Sequence, residues 1–180
     1  MTMIHKIIDN SVSDYVGKVF LKQIMESLHW RINRGSAGFN VTDYLNNPNQ
    51  QWEKPQPCID LLRGDVIQDE VLYGYAKCVF DSMCDVHGIR VRHLNRILVN
   101  ANYPGVDLSP HIDKDKDNWQ SIVMFLTPNM TKTGLAVGKK IIPYQFGRSV
   151  WFDSKDLHTA TKLEEEHVLP RVTVAYLFEV

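Results

Sequence analysis

Beyond Gly88 the chain breaks into short β-branched and aromatic runs with no helical pattern of useful length between them. The runs are RHLNRILVNANY (92–103), QSIVMFLTP (120–128), GLAVG (134–138), RSVWFD (148–153) and RVTVAYLFEV (171–180), separated by polar or glycine-bearing segments. Parallel neighbours need long crossovers, usually helical, and none is present. A doubly wound sheet is therefore excluded, and an antiparallel sandwich or barrel remains. A chain of 180 residues can bury one real core and leaves little room for a second domain.

The first half reads differently. In SVSDYVGKVFLKQIMESLHW (11–30), Val12, Val16, Val19, Phe20, Ile24 and Leu28 recur at helical spacing, and Ser11 with Asp14 resembles a capping box. A second helix is expected in DEVLYGYAKCVFDSMCDVHG (69–88), with the stripe Val71, Leu72, Tyr75, Cys78, Val79 and Met83 and a C-terminal cap at Gly88. Between them, residues 33–64 are polar and turn-rich, the pattern of a functional loop or lid. The expected organisation is one domain over 1–180, in which 1–90 supply helical and loop support and a lid and 91–180 form the β core.

The net charge of −1 argues against a broad nucleic-acid or membrane footprint. The start, MTMIHKIIDN, lacks the apolar stretch of a signal peptide, and no later run of about 18 apolar residues could span a bilayer. Three cysteines, Cys58, Cys78 and Cys84, form an odd set without metal-type spacing. They read as reduced thiols acting as small buried hydrophobes, and the expected compartment is the cytoplasm.

The chemistry concentrates around HIDKDKDNW (111–119). Asp113, Asp115 and Asp117 imitate the start of a calcium-binding EF-hand loop, which then needs Gly at its sixth position and Glu at its twelfth. Asn118 and Met124 stand there instead. A solvated turn accounts for Lys114 to Asn118 but not for His111. On an extended segment His111 and Asp113 project to one face, so an imidazole and a carboxylate can converge on one ion. A third ligand is available in His158, which follows the run RSVWFD. Two histidines and a carboxylate on one face of an ion leave positions open for other ligands, the arrangement of non-haem Fe(II) oxygenases. Arg171, thirteen residues after His158, opens the last run and shares a face with Thr173. A guanidinium fork beside a hydroxyl suits a fixed carboxylate. Arg96, Asn100, Trp119 and Trp151 are read as packing or solvent-facing residues rather than as lining of a substrate mouth.

From about Leu94 to Val180 the sequence resembles the Fe(II)- and 2-oxoglutarate-dependent oxygenases, most of all their prolyl 4-hydroxylase-like branch. The residues that carry the resemblance are NYPG (102–105), HID (111–113), IVMFLTP (122–128), GLAV (134–137), PYQFGRSVWFDSKDLH (143–158) and RVT (171–173). It implies a double-stranded β-helix, a jelly-roll-like barrel braced by the N-terminal helices. It implies His111, Asp113 and His158 as catalytic iron ligands, Arg171 as the residue binding the distal carboxylate of 2-oxoglutarate, Thr173 as its helper, and Tyr103 lining the pocket. The implied reaction is hydroxylation by O2, coupled to conversion of 2-oxoglutarate to succinate and CO2, with ascorbate as an accessory reductant. Prolyl residues of a peptide or protein are the first substrate implied. A small molecule or free amino acid, or a non-catalytic binding or sensing barrel, are the alternatives. A nucleic-acid demethylase is disfavoured because the second arginine of that branch is replaced by Leu177. The sequence departs from some relatives at Val123, Met124 and Phe125, where no tyrosine is offered to 2-oxoglutarate. Thr133-Gly134 stands in for a usual glycine pair, and the long segment TATKLEEEHVLP (159–170) reads as an extended charged hairpin.

Overall fold

The computed structural model describes residues 4–33, 56–104, 108–164, 167 and 169–180. The strands are β1 (Ile4–Ile8), β2 (Arg31–Asn33), β3 (Gln56–Arg63), β4 (Val66–Ile67), β5 (His93–Asn102), β6 (Trp119–Phe125), β7 (Gly134–Val137), β8 (Lys140–Pro143), β9 (Ser149–Asp153), β10 (His158–Ala160) and β11 (Arg171–Glu179). Among the described residues two helices, α1 (Asp14–Glu26) and α2 (Glu70–His87), interrupt the early strands. The large sheet runs β1-β9-β6-β11-β5-β3-β2, with β4 paired to β3, and a small sheet runs β10-β7-β8. All pairings are antiparallel. This is the expected double-stranded β-helix.

The large sheet is buried on both faces, which explains why its central strands are almost continuously apolar. One face carries Ile122 and Met124 of β6, Val172, Val174, Tyr176 and Phe178 of β11, and Ile97 and Val99 of β5. Against it pack Phe20 and Ile24 of α1 and Leu72, Ala76, Val79, Phe80 and Met83 of α2. The opposite face turns Val123, Phe125, Val150 and Phe152 toward Leu135, Val137, Ile142 and Tyr144 of the small-sheet region. Truncating a fully buried phenylalanine such as Phe80 would cost about 3–5 kcal/mol.

Both helices form where their periodicity predicts, with altered ends. The hydroxyl of Ser13, not Ser11, accepts the N-terminal amide of Val16, and the helix stops at Ser27, leaving Leu28 95 % exposed. Ser11 instead bonds Gly147 O and Ser149 and ties the entry of α1 to β9. Gly88 caps α2 in the left-handed conformation, φ 65°. The helical stripe is also narrower than expected, since Val71 is 62 % exposed and Cys78 lies on the outer face. Of the three thiols, Cys58 and Cys84 are buried and Cys78 is exposed, which corrects the expectation that all three are core residues.

The early segment is more than helices and loops. Strands β1 and β3 belong to the large sheet, on β9 and β5 respectively. Residues 34–55 of the expected lid lie outside the described residues, and 56–63 are strand, not loop. In the segment after β10, the described residues 161–164 adopt no regular structure, and Leu163 is buried in the inner core. The described residues 161–164 thus form no hairpin strand, and residues 165, 166 and 168 of the expected charged hairpin lie outside the described residues. Among the described residues no helix is long and apolar enough to cross a membrane.

Candidate active site

The inner face of the barrel holds a cavity of about 380 Å3. Its floor is set by the two-residue period of β5 and β11. From β5 it takes Arg96, Leu98, Asn100 and Asn102, and from β11 Arg171, Thr173, Ala175 and Leu177. These residues face one another as the pairs Asn102–Arg171, Asn100–Thr173, Leu98–Ala175 and Arg96–Leu177. The opposite wall carries His111, Asp113 and His158.

Two separate pieces of backbone, the 111–113 segment and β10, bring this triad together. His158 opens β10 opposite Val137, and His111 forms a reciprocal bridge with it, N–H to O in both directions, at 3.0 and 2.9 Å. The Asp113 amide donates to Ser154 O, and the Ser154 hydroxyl donates back to Lys114 O, clamping the segment to the turn before β10. The Nε2 atoms of His111 and His158 lie 4.0 and 3.6 Å from oxygens of Asp113, and the three potential donor atoms fall within 4.8 Å of one another. Each Nδ1 is turned to a backbone oxygen, Asp156 O at 2.9 Å for His158 and Ser109 O at 3.3 Å for His111. That contact selects the tautomer with a proton on Nδ1 and a lone pair on Nε2 aimed at the common point. The Ser121 hydroxyl donates to Asp113 Oδ2 at 2.7 Å and holds the carboxylate. Burial lowers the pKa of His158, a tendency opposed by Asp113, so the neutral imidazole that ligates metals is favoured. This donor set fits a divalent transition metal with a vacant side toward the cavity.

Asp117 stands apart from this group. It is largely exposed and pairs with Lys155 at 2.7 Å, so the three aspartates of 113–117 do not share a site. Lys114 lies over the Trp119 ring, 4.6 Å from its centroid, and Trp151 donates to Gln120.

Arg171 is 1 % exposed. Its guanidinium donates to the Thr133 hydroxyl, to Thr161 O at 2.6 Å and, more weakly, to Asn102 Oδ1 at 3.4 Å. Among the described residues no acidic side chain pairs with it, and its Nε has no hydrogen-bond partner. Glu164 is exposed, and Glu165 and Glu166, the other candidates for an ion pair, lie outside the described residues. Burial pulls the Arg171 pKa down to about 10, which still leaves the group charged at neutral pH. A buried cation whose neighbours are all neutral acceptors is costly unless an anion completes it.

Thr173 lines the cavity beside Arg171, as its place in β11 requires. Tyr103 does not line it. It follows the last residue of β5, falls out of step with the inward positions 96, 98, 100 and 102, and is 45 % exposed. Arg96 and Asn100, read from sequence as packing residues, do line the cavity. Thr133, Thr161, Asn102 and Ser121, which position Arg171 and Asp113, carried no signal in the sequence. Gly134 has a local reason: a Cβ there would sit 2.2 Å from Ile142 O, so the β7–β8 approach tolerates no side chain.

No protein-family model matches this sequence, and no curated protein matches it either. Solved structures do match by shape. A viral collagen prolyl hydroxylase from Paramecium bursaria Chlorella virus-1, in its 2OG complex, aligns over 97 % of this chain and 96 % of its own with TM-score 0.62 and 14 % identity. A prolyl-4-hydroxylase from Pseudomonas putida aligns over 97 % and 92 % with TM-score 0.59 and 10 % identity. SnoN, a non-haem α-ketoglutarate-dependent epimerase of nogalamycin biosynthesis, aligns over 96 % and 76 % with TM-score 0.59 and 10 % identity. Over nearly its whole length, the chain has the double-stranded β-helix fold of these 2-oxoglutarate-dependent enzymes.

Proposed function

We propose that the protein is a 2-oxoglutarate- and O2-dependent hydroxylase that holds Fe(II) at His111, Asp113 and His158. The observation that carries this reading is the pairing, in one cavity, of a metal-ready triad with a buried arginine that lacks an acidic partner among the described residues. A hydrolytic metal site does not by itself call for such an arginine. A dicarboxylate that chelates the metal at one end and neutralises the guanidinium at the other uses both.

When bound here with 2-oxoglutarate, Fe(II) supplies O2 activation coupled to oxidative decarboxylation. The chain's own residues position and isolate the reactants. Arg171, fixed by Thr133 and Thr161, takes the distal carboxylate, and Thr173 offers a hydroxyl beside it. Val123, Phe125 and Leu135 line the cavity with apolar surface that excludes bulk water from the reacting centre. Prolyl residues of a peptide are the first substrate class, supported by the two prolyl hydroxylases that share the fold. A small-molecule substrate is the second, favoured by Arg96, which lines the cavity apart from Arg171. The odd cysteine count supports a cytoplasmic setting.

Anaerobic addition of Fe(II) and 2-oxoglutarate should produce a visible charge-transfer absorption, and air should then yield succinate. If no absorption developed and His111→Ala bound metal as well as the parent, the oxygenase reading would fail. Stoichiometric retention of zinc without 2-oxoglutarate binding would point to hydrolysis instead.

A further inference from the structure

At the end of the cavity away from Arg171, three arginines surround one buried acid. Asp60 of β3 is 4 % exposed, and Arg31 of β2, Arg63 of β3 and Arg96 of β5 all reach it. Arg31 makes the closest approach; Arg63 and Arg96 stay 3.8 Å away, too far for hydrogen bonds. The bulge between Asp60 and Leu62 places Arg63 directly opposite Arg96 in the sheet. Like charges directly opposite one another destabilise a pair of strands. One arginine is enough to neutralise Asp60, and Arg63 is largely exposed to water. Arg96 lines the cavity, where the further acid acting on it is Asp113 of the triad, a carboxylate that a bound metal would claim.

The sheet register locates this charge relative to the metal triad. Ser121, which holds Asp113, pairs with Leu177, and Leu177 pairs with Arg96. The backbones of Ser121 and Arg96 are thus two strands apart, roughly 10 Å. Along β11, six residues separate Arg171 from Leu177, roughly 20 Å at the usual rise per residue. The triad therefore sits near the Arg96 end, with Asn100, Leu98 and Ala175 on the floor between the two arginines.

We propose that Arg96, backed by Arg63 and Arg31, binds an oxoanion of the prime substrate, a carboxylate or a phosphate, and thereby holds the substrate on the side of the metal opposite to Arg171. The proposal takes the existence of a prime substrate from the oxygenase reading. The cationic site itself stands on the geometry of β2, β3 and β5. Asp60 sets the three side chains while leaving them under-neutralised, and the half-buried position of Arg96 strengthens its attraction for an anion relative to a surface arginine.

The test uses the full chain loaded with diamagnetic Zn(II) and saturating 2-oxoglutarate, so that Arg171 is occupied. Inorganic phosphate is titrated while the Nε–H resonance of the Arg96 side chain is followed by NMR. A saturable shift is expected, weakened at least fivefold in Arg63→Gln, and phosphate binding by calorimetry should be lost in Arg96→Gln and largely restored in Arg96→Lys. With Fe(II) and air, amino acids and short peptides carrying a free carboxylate or a phosphate ester are compared with their neutral amides as stimulators of succinate formation. Stimulation by the carboxylates assigns a carboxylic-acid substrate, and stimulation by the phosphate esters a phosphorylated one. For the stimulating member, Arg96→Gln should raise KM at least tenfold with a much smaller change in kcat. Equal stimulation by neutral amides, or a phosphate titration that leaves Arg96 unmoved, overturns the proposal. Failure of 2-oxoglutarate to bind the Zn(II)-loaded parent would overturn the oxygenase reading instead, and the phosphate titration would still report on Arg96.

Discussion

Arg171 and Arg96 face one cavity from opposite ends of the β5–β11 pair, yet the fold holds them in opposite ways. Arg171 is sealed among neutral acceptors, Thr133, Thr161 O and Asn102, so its orientation is set and its charge is not. Arg96 is a third exposed, shares Asp60 with two other arginines, and makes no close contact with it. A guanidinium held by neutral groups in a dry site suits one small dicarboxylate of constant shape. A cluster in partial contact with water can adapt to a larger or more variable anion. The cavity therefore has a committed end and an adaptable end, and the metal triad lies nearer the second.

The largest effect is expected between the two ends. Asp113→Ala should abolish succinate formation and the charge-transfer absorption, because a lone histidine pair leaves the metal without its anionic ligand. Next, Arg171→Gln should weaken 2-oxoglutarate by about 2–4 kcal/mol, roughly 30- to 1,000-fold, in calorimetry of the Mn(II)-loaded protein. A comparable loss from Arg96→Gln would erase the distinction between the ends. Ser121→Ala removes the hydroxyl that holds Asp113 Oδ2 and should cost about tenfold in metal affinity, read by competition with a chelating dye. Raising ionic strength should separate the arginines further. Binding of phosphate at the partly exposed Arg96 should fall severalfold between low and high salt, while 2-oxoglutarate at the buried Arg171 should change much less. Smallest of all, Asp117→Asn breaks only an exposed pair with Lys155 and should shift thermal stability by less than about 0.5 kcal/mol.

The difference between the two ends also marks how far the sequence could be read. Arg171, which lines the cavity, carries a sequence signal because it opens a strongly apolar strand at a readable distance from His158. Arg96 sits in an equally clear strand, but its meaning depends on Asp60, in a segment that reads as loop, and on Arg31 just before that segment. QPCIDLLR combines a proline, a buried acid and a bulge, and no two-residue alternation survives that combination. Strands β8 and β10, four and three residues long, are too short to carry a period at all. Tyr103, expected in the pocket, stands outside its lining because one residue past a strand's end falls out of the inward-facing positions. Cys78 was misjudged because the apolar stripe of α2 is narrower than the run of apolar letters suggests.

What the sequence determined by itself is local and periodic. The β-branched and aromatic runs of β5, β6 and β11, the helical stripes with the Gly88 cap, and the common face of His111 and Asp113 all follow from side-chain preference and backbone geometry over a few residues. Which strand lies beside which was decided only in the tertiary structure. Bridging His111 to His158, hanging Asp113 on Ser121, and gathering Arg31, Arg63 and Arg96 around Asp60 require contacts between residues distant in the chain. Their register is set by bulges and by burial of the sheet on both faces. A carboxylate shared by three strands has no periodicity of its own, so its place appears only once those strands are side by side.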